Sequence, residues 1–169
     1  MKNIAIVTGA SGGLGREFVA LLDSEVDEIW TIARSREKLD ELYVEYGKKV
    51  VPVCLDLSER DSFGKVEAML DREDYNVRWL VNAAGYGKFC AYDDMDVAQS
   101  LNIIDLNVNA LVAIGLIALK HMSKGSRIVN IASISAFQPL PYMNIYASTK
   151  AFVRNYTRAL NVEIKPRGI

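Results

Sequence analysis

Cysteine and histidine are almost missing from this 169-residue chain, with two of the first and one of the second. Cys54 and Cys90 stand far apart and form no CxxC, which argues against a disulfide framework and against a metal site. Reduced thiols of this kind fit a cytoplasmic protein. An excess of charge is lacking too: 20 Lys and Arg against 21 Asp and Glu leave a net charge of −1. That balance shows neither a nucleic-acid footprint nor a polybasic membrane patch. No apolar run reaches the roughly 18 residues expected of a membrane span. The nearest, "LNIIDLNVNALVAIGLIAL", is interrupted by Asn102, Asp105, Asn107 and Asn109. The opening "MKNIAIVTGASGG" holds one Lys and an apolar run too short for a signal peptide. These absences predict one soluble domain over residues 1–169, with no membrane or nucleic-acid partner.

What is present is alternation. Short β-branched runs at 3–8, 28–33, 49–55, 78–83 and 127–132 read as strands, and their nearly continuous apolar character suits strands buried on both faces. Helical stretches lie between them at 14–23, 36–46, 59–72 and 96–123, with a last one at 144–163. Lys124-Gly125 supplies a C-terminal stop for the fourth. Strict β-α-β-α order predicts an α/β fold: a doubly wound parallel sheet with helices on both faces. Ligands of such sheets bind beyond the carboxyl ends of the strands, so functional residues are expected at the strand exits.

The first exit is "TGASGGLG", residues 8–15. Gly9, Gly12, Gly13 and Gly15, with Ser11 and Leu14 between them, permit a tight turn whose N–H groups can approach a pyrophosphate, helped by the helix dipole. The second exit, "IARSREKL", carries Arg34 where NAD-selective sites often place a carboxylate. A guanidinium there suits a 2′-phosphate, so NADP is favoured over NAD with Arg34 as the main contact; the alternative is that Arg36 simply decorates the first turn of a solvated helix. The third exit offers Asp56-Leu57, where Asp56 either accepts from an adenine amino group or caps a helix. The fourth is "NAAG", Asn82, Ala83, Ala84 and Gly85, small residues against which a flat cofactor can lie. The fifth carries the hydroxyls of Ser133 and Ser135.

Tyr146 and Lys150 follow, four apart at the start of the last helix, so they share a face. A fixed positive charge beside a phenol favours the phenolate, which is what a tyrosine acting as general acid and base needs. A Tyr–Lys pair of this spacing also arises by chance, and alone it carries little.

Taken in order, TGxxxGxG at residues 8–15, Asp56, NAAG at 82–85 and YxxxK at Tyr146 and Lys150 resemble the short-chain dehydrogenase/reductase family over the whole chain. The resemblance implies a Rossmann-like fold and a carbonyl–alcohol oxidoreductase using NADP or NAD. Ser133, thirteen residues before Tyr146, matches the family's catalytic serine, and Asn107 its active-site asparagine, which kinks its helix and holds a water through a backbone group. Tyr146 would be the general acid, Lys150 would tune it and bind the nicotinamide ribose, and Ser133 would bond the substrate oxygen. Gly12 departs from the NADP-binding members that place a basic residue there.

His121 suits the end of the long helix, and Trp30 and Trp79 suit the core. Phe89, Cys90, Phe137, Leu140, Tyr142 and Met143 are candidates for an apolar substrate pocket. A homodimer or homotetramer is implied by resemblance, through outer helix faces carrying Ile114, Ile117 and Phe152. The chain stops at "VEIKPRGI", where the resemblance places a sixth strand, a seventh and a substrate-covering segment. A truncated domain that binds cofactor or a partner chain without catalysis is therefore the second reading.

Overall fold

The computed structural model describes all residues, 1–169. Five parallel strands form one sheet in the order β3-β2-β1-β4-β5. They are β1 (Lys2–Thr8), β2 (Glu28–Ala33), β3 (Val50–Cys54), β4 (Tyr75–Asn82) and β5 (Arg127–Asn130). Register is fixed through the centre, with Val7 opposite Thr31 on one side and opposite Val81 on the other. The order reverses between β1 and β4, which makes their carboxyl ends the crevice of a doubly wound sheet. The expected Rossmann-like fold is observed.

Alternation along the strands feeds two hydrophobic layers. Ile4, Ile6, Ile32 and Leu80 point to one face, where Val66 and Leu70 of α3 (Asp61–Leu70) and Ile114 of α5 (Ala110–Lys120) meet them. Ala5, Val7, Ile29 and Val81 point to the other, against Val19 and Leu22 of α1 (Gly13–Leu22) and Leu39 and Leu42 of α2 (Arg36–Tyr46). Trp30 is buried and meets the Tyr75 ring edge-on at 5.1 Å. Trp79 is half-buried, beneath the Arg127 guanidinium at 5.6 Å.

Three expectations are corrected here. Ile114 and Ile117 do not lie on an outer face: both are buried in the α3/α5 layer, because their side of α5 faces the sheet. The exposed large apolar residues of these helices are Val97, Leu101, Ile104, Leu116, Phe152 and Val162, with Phe152 stacked on Tyr156 at 5.7 Å. Ile114→Ala should therefore cost about 2–5 kcal/mol of stability, read by urea unfolding. Next, β5 is not buried on both faces; it lies at the sheet edge with a half-exposed surface. Finally, the polar residues of the long apolar run do not break it. Val97–Lys120 is one helical run of 24 residues, long and apolar enough by length and composition to cross a membrane. In this fold its Ile103, Ala110, Ile114 and Ala118 are buried.

That run is locally unwound. Between α4 (Val97–Ile104) and α5, residues Asp105–Asn109 form a π-helical turn, the local distortion that kinks helices and is frequent at functional sites. Asn107 is at its centre. The last helix, α6 (Asn144–Ile164), runs 21 residues from the carboxyl-end side of the sheet.

Candidate active site

The glycine turn after β1 is held by close approach. Gly9 has φ +68°, and a Cβ there would stand 2.7 Å from the Ala84 nitrogen and 2.8 Å from the Ala83 carbonyl carbon. A Cβ on Gly15 would collide with the Gly9 carbonyl oxygen. Gly12 and Gly13 face open space, so they leave room above the turn. The Thr8 hydroxyl accepts from the Ala84 N–H at 3.2 Å, tying the first exit to the fourth.

Between them opens a cleft of about 400 Å³. Gly9, Ser11, Gly12, Gly13 and Leu14 form one wall, and Ala83, Ala84 and Gly85 another. Arg34 and Leu57 close the end beneath β2 and β3. Lys38 joins Arg34 there, a second cation the sequence reading did not single out although "REKL" displayed it four residues on. A glycine turn with two cations at one end of the cleft offers backbone N–H groups and positive charge to an anionic ligand.

The other predicted residues lie around this lining. Asp56 is at the rim, its carboxylate accepting from Ser58 N at 2.9 Å and Ser58 Oγ at 2.7 Å, and facing Arg34 Nη1 at 3.9 Å. It closes a turn and does not cap α3, whose N-cap is Arg60. The Asn82 amide donates to Asn130 Oδ1 at 2.9 Å, joining β4 to β5. Asn82 and Gly15 thus support the turn and sheet from behind.

Lys150 and Tyr146 share a face of α6 as their spacing requires. Lys150 is only 5 % exposed, and its Nζ donates to the Ile131 carbonyl at 2.7 Å. The same Nζ lies 5.8 Å from the centre of the Tyr146 ring. Burial pushes the Lys150 ammonium below the usual lysine range. Gly85, Ile131 and Lys150 therefore meet where the cleft reaches α6.

Asn107 is the brace. Its side chain, 1 % exposed, accepts from Tyr86 N at 3.0 Å and donates to Tyr86 O at 2.9 Å and Thr149 Oγ1 at 3.0 Å. The Thr149 hydroxyl in turn donates to the Tyr146 carbonyl at 2.7 Å. Asn107 thus locks the loop after β4 onto α6, and its amide is fully occupied. Tyr86 is further held by its hydroxyl, which donates to Asn102 Oδ1 at 2.8 Å. Tyr86 follows the NAAG motif directly, which could have marked it; nothing in the sequence marks Thr149. Ser133 caps the turn Ile134–Phe137, its Oγ accepting from Ser135 N at 3.1 Å.

The apolar candidates divide into two groups. Phe89 and Tyr142 pair with ring centres 5.6 Å apart, and Cys90 N donates to the Tyr142 carbonyl at 3.0 Å. Tyr142 holds φ 65°, a strained value for a bulky residue. Phe137 and Leu140 line a different groove with Ala147 and Ala151, the Arg154 guanidinium lying 4.3 Å from the Phe137 ring.

A parallel sheet of this order, with a glycine turn at its first exit and a Tyr–Lys helix beside its cleft, is a Rossmann-like α/β protein. The chain belongs to the short-chain dehydrogenase family, whose description as "short chain dehydrogenase" matches residues 3–169. It is 32% identical over 177 residues to a very-long-chain 3-oxoacyl-CoA reductase of Anas platyrhynchos, covering 98% of this chain and 56% of that protein. It is 30% identical over 177 residues to 17-beta-hydroxysteroid dehydrogenase type 3 of Mus musculus, covering 100% and 57%. The chain thus spans about half the length of the curated relatives it matches. Among solved structures, the bulky-bulky ketone specific alcohol dehydrogenase of Comamonas testosteroni superposes with a TM-score of 0.87 at 28% identity, over 100% of this chain and 69% of that one. A short-chain dehydrogenase from Sphingobium yanoikuyae in complex with NADPH gives 0.86 at 28% identity, over 99% and 68%.

Proposed function

We propose that this chain carries the cofactor-binding and acid–base machinery of an NADP-dependent reductase acting on a bulky, apolar carbonyl compound. The observation that carries the reading is Lys150: a buried ammonium, fixed by the Ile131 carbonyl, beside the Tyr146 ring and at the edge of a glycine-lined cleft. Burying a lysine is costly, and such perturbed groups concentrate at functional sites.

The residues of the cleft would hold the cofactor, with the pyrophosphate on the turn from Gly9 to Gly15 and the 2′-phosphate on Arg34 and Lys38. When bound, NADPH supplies the hydride that reaches the carbonyl carbon and leaves as NADP⁺. Tyr146 gives the phenol proton to the carbonyl oxygen, completing the alcohol, and takes it back in the reverse direction. Lys150 keeps its ammonium beside the Tyr146 ring, fixed there by the Ile131 carbonyl. The Ser133 hydroxyl donates to the same oxygen as charge develops there. Because the Asn107 amide is occupied by Tyr86 and Thr149, a proton relay through this residue runs by its main chain.

Support for the substrate class comes from the Phe89–Tyr142 pair, exposed beside the start of α6, and from relatives named for 3-oxoacyl-CoA, a hydroxysteroid and a bulky ketone. Leu101, Ile104, Leu116 and Phe152 support self-association, which light scattering would test.

The reading is tested by fluorescence titration with NADPH and NADH, followed by carbonyl-dependent NADPH oxidation. Tight NADPH-selective binding with turnover is the expected result; selectivity for NADH overturns the cofactor assignment, and binding without turnover favours a domain that holds cofactor only. Arg34 is 65% exposed at its side chain and faces a carboxylate at 3.9 Å, so its guanidinium is available to a phosphate. Arg34→Leu should weaken NADPH by roughly 10- to 100-fold, the worth of a charged hydrogen bond, and leave NADH little changed.

A further inference from the structure

The loop that leaves β4 continues past NAAG as Tyr86-Gly87, and Gly87 lies flat against the Tyr146 ring. A Cβ at Gly87 would stand 2.7 Å from both Cγ and Cδ2 of Tyr146 and 2.9 Å from its Cβ. No atom of any side chain can occupy that space while the ring stays where it is. Main-chain φ is not what requires glycine here, because Gly87 is outside the left-handed region that other residues avoid. The nearest atoms that exclude a side chain belong to Tyr146.

We propose that Gly87 is a positioning residue that sets the orientation of the Tyr146 ring relative to Lys150. This inference rests on the reading of Tyr146 as the proton donor. The loop is rigid enough to act as a template. Both main-chain polar groups of Tyr86, the residue before, are taken by the Asn107 amide. A Cβ on Gly85 would approach Asn107 Oδ1 at 2.9 Å and Lys150 Nζ at 3.4 Å, so the loop runs past Asn107, Lys150 and Tyr146 in turn. Thr149 fixes the opposite side by bonding the Tyr146 carbonyl and Asn107 together. The ring is thus clamped between its own helix turn and the bare backbone of Gly87.

Any side chain at residue 87 pushes the ring off this backbone and moves the phenol. A misplacement near 1 Å at a reacting group can lower a rate by about 100-fold. Gly87→Ala is therefore expected to lower kcat by about 10- to 100-fold, with KM for the carbonyl and the affinity for NADPH nearly unchanged. Gly64→Ala, a substitution in open space on α3, serves as the control that leaves turnover intact. A folded Gly87→Ala protein with wild-type kcat overturns the proposal.

The contact itself is read by melting, without any turnover. Gly87→Ala should lower the melting temperature by roughly 5 °C in the wild-type background, as overpacking does, and by much less in a Tyr146→Ala background where the ring is gone. Equal losses in the two backgrounds overturn the proposal whatever the kinetics show. A coupled melting loss in a chain that binds NADPH but turns over no carbonyl leaves the contact standing and overturns the reading of the site as a reductase, and with it the positioning role.

Discussion

Tyr146→Phe is expected to fold, melt and bind NADPH like the wild type while losing carbonyl reduction by at least about 100-fold, the lower bound for a positioned general acid. The substitution removes one oxygen. The ring that rests on Gly87 remains, as does the main-chain carbonyl that accepts from Thr149. Lys150 is held by the Ile131 carbonyl, so its position does not depend on the phenol. None of the hydrogen bonds that join the loop after β4 to α6 uses the Tyr146 hydroxyl; they run through Asn107, Tyr86 and Thr149. A loss of turnover with unchanged NADPH affinity would therefore isolate the proton transfer. Activity within tenfold of wild type would show that another group donates the proton and would sink the assignment. Lys150→Met is a less clean experiment, because it also leaves the part-buried Ile131 carbonyl without its donor.

The sheet and the first cleft wall were legible because their signals are local. A strand that alternates Ile4-Ala5-Ile6-Val7 between two buried faces is continuous in apolar character, and a glycine turn follows it directly. Helix α2 and strand β2 begin and end where patterning places them, at 36–46 and 28–33. Strand β4 begins three residues earlier than expected, at Tyr75, since polar Asn76 reads as loop until its amide is seen donating to Asn3 on the neighbouring strand at 2.7 Å. The outer face of α5 was misplaced for a related reason. Its residues from Ala110 to Leu119 are apolar nearly all round, so periodicity alone cannot say which side meets the sheet. In the site, Tyr146 and Lys150 were visible through their spacing on one helix. The clamp around them was not, because Tyr86, Gly87, Asn107 and Thr149 come from three separated segments whose contacts only the folded chain supplies.

Gly9→Ala is expected to be strongly destabilising, because it combines a left-handed φ with a clash against backbone. The left-handed φ of +68° costs a residue with Cβ about 1–2 kcal/mol. The new carbon would also meet backbone rather than side chain, at 2.7 Å from Ala84 N and 2.8 Å from Ala83 C and Ala84 Cα. Those atoms cannot retreat easily. Ala84 N is bonded to the Thr8 hydroxyl, Asn82 is paired to Asn130 in the sheet, and Gly9 N itself donates to the Ile32 carbonyl at 2.8 Å. Overpacking against fixed neighbours adds about 1–3 kcal/mol, so the total is a large share of the roughly 5–15 kcal/mol that holds a typical domain together. Gly13 separates the two causes, since it has φ +52° but nothing within 4 Å of a Cβ. Gly13→Ala should therefore lose only the conformational part, and Gly12→Ala, extended at φ 176°, should lose almost nothing. Urea unfolding of the three variants reads the order directly. If Gly9→Ala and Gly13→Ala lose the same amount, the approach of the glycine turn to Ala83 and Ala84 does not constrain the fold. If Gly9→Ala alone collapses, the two walls of the cleft are built by one contact, and the site cannot be loosened on one side without losing the other.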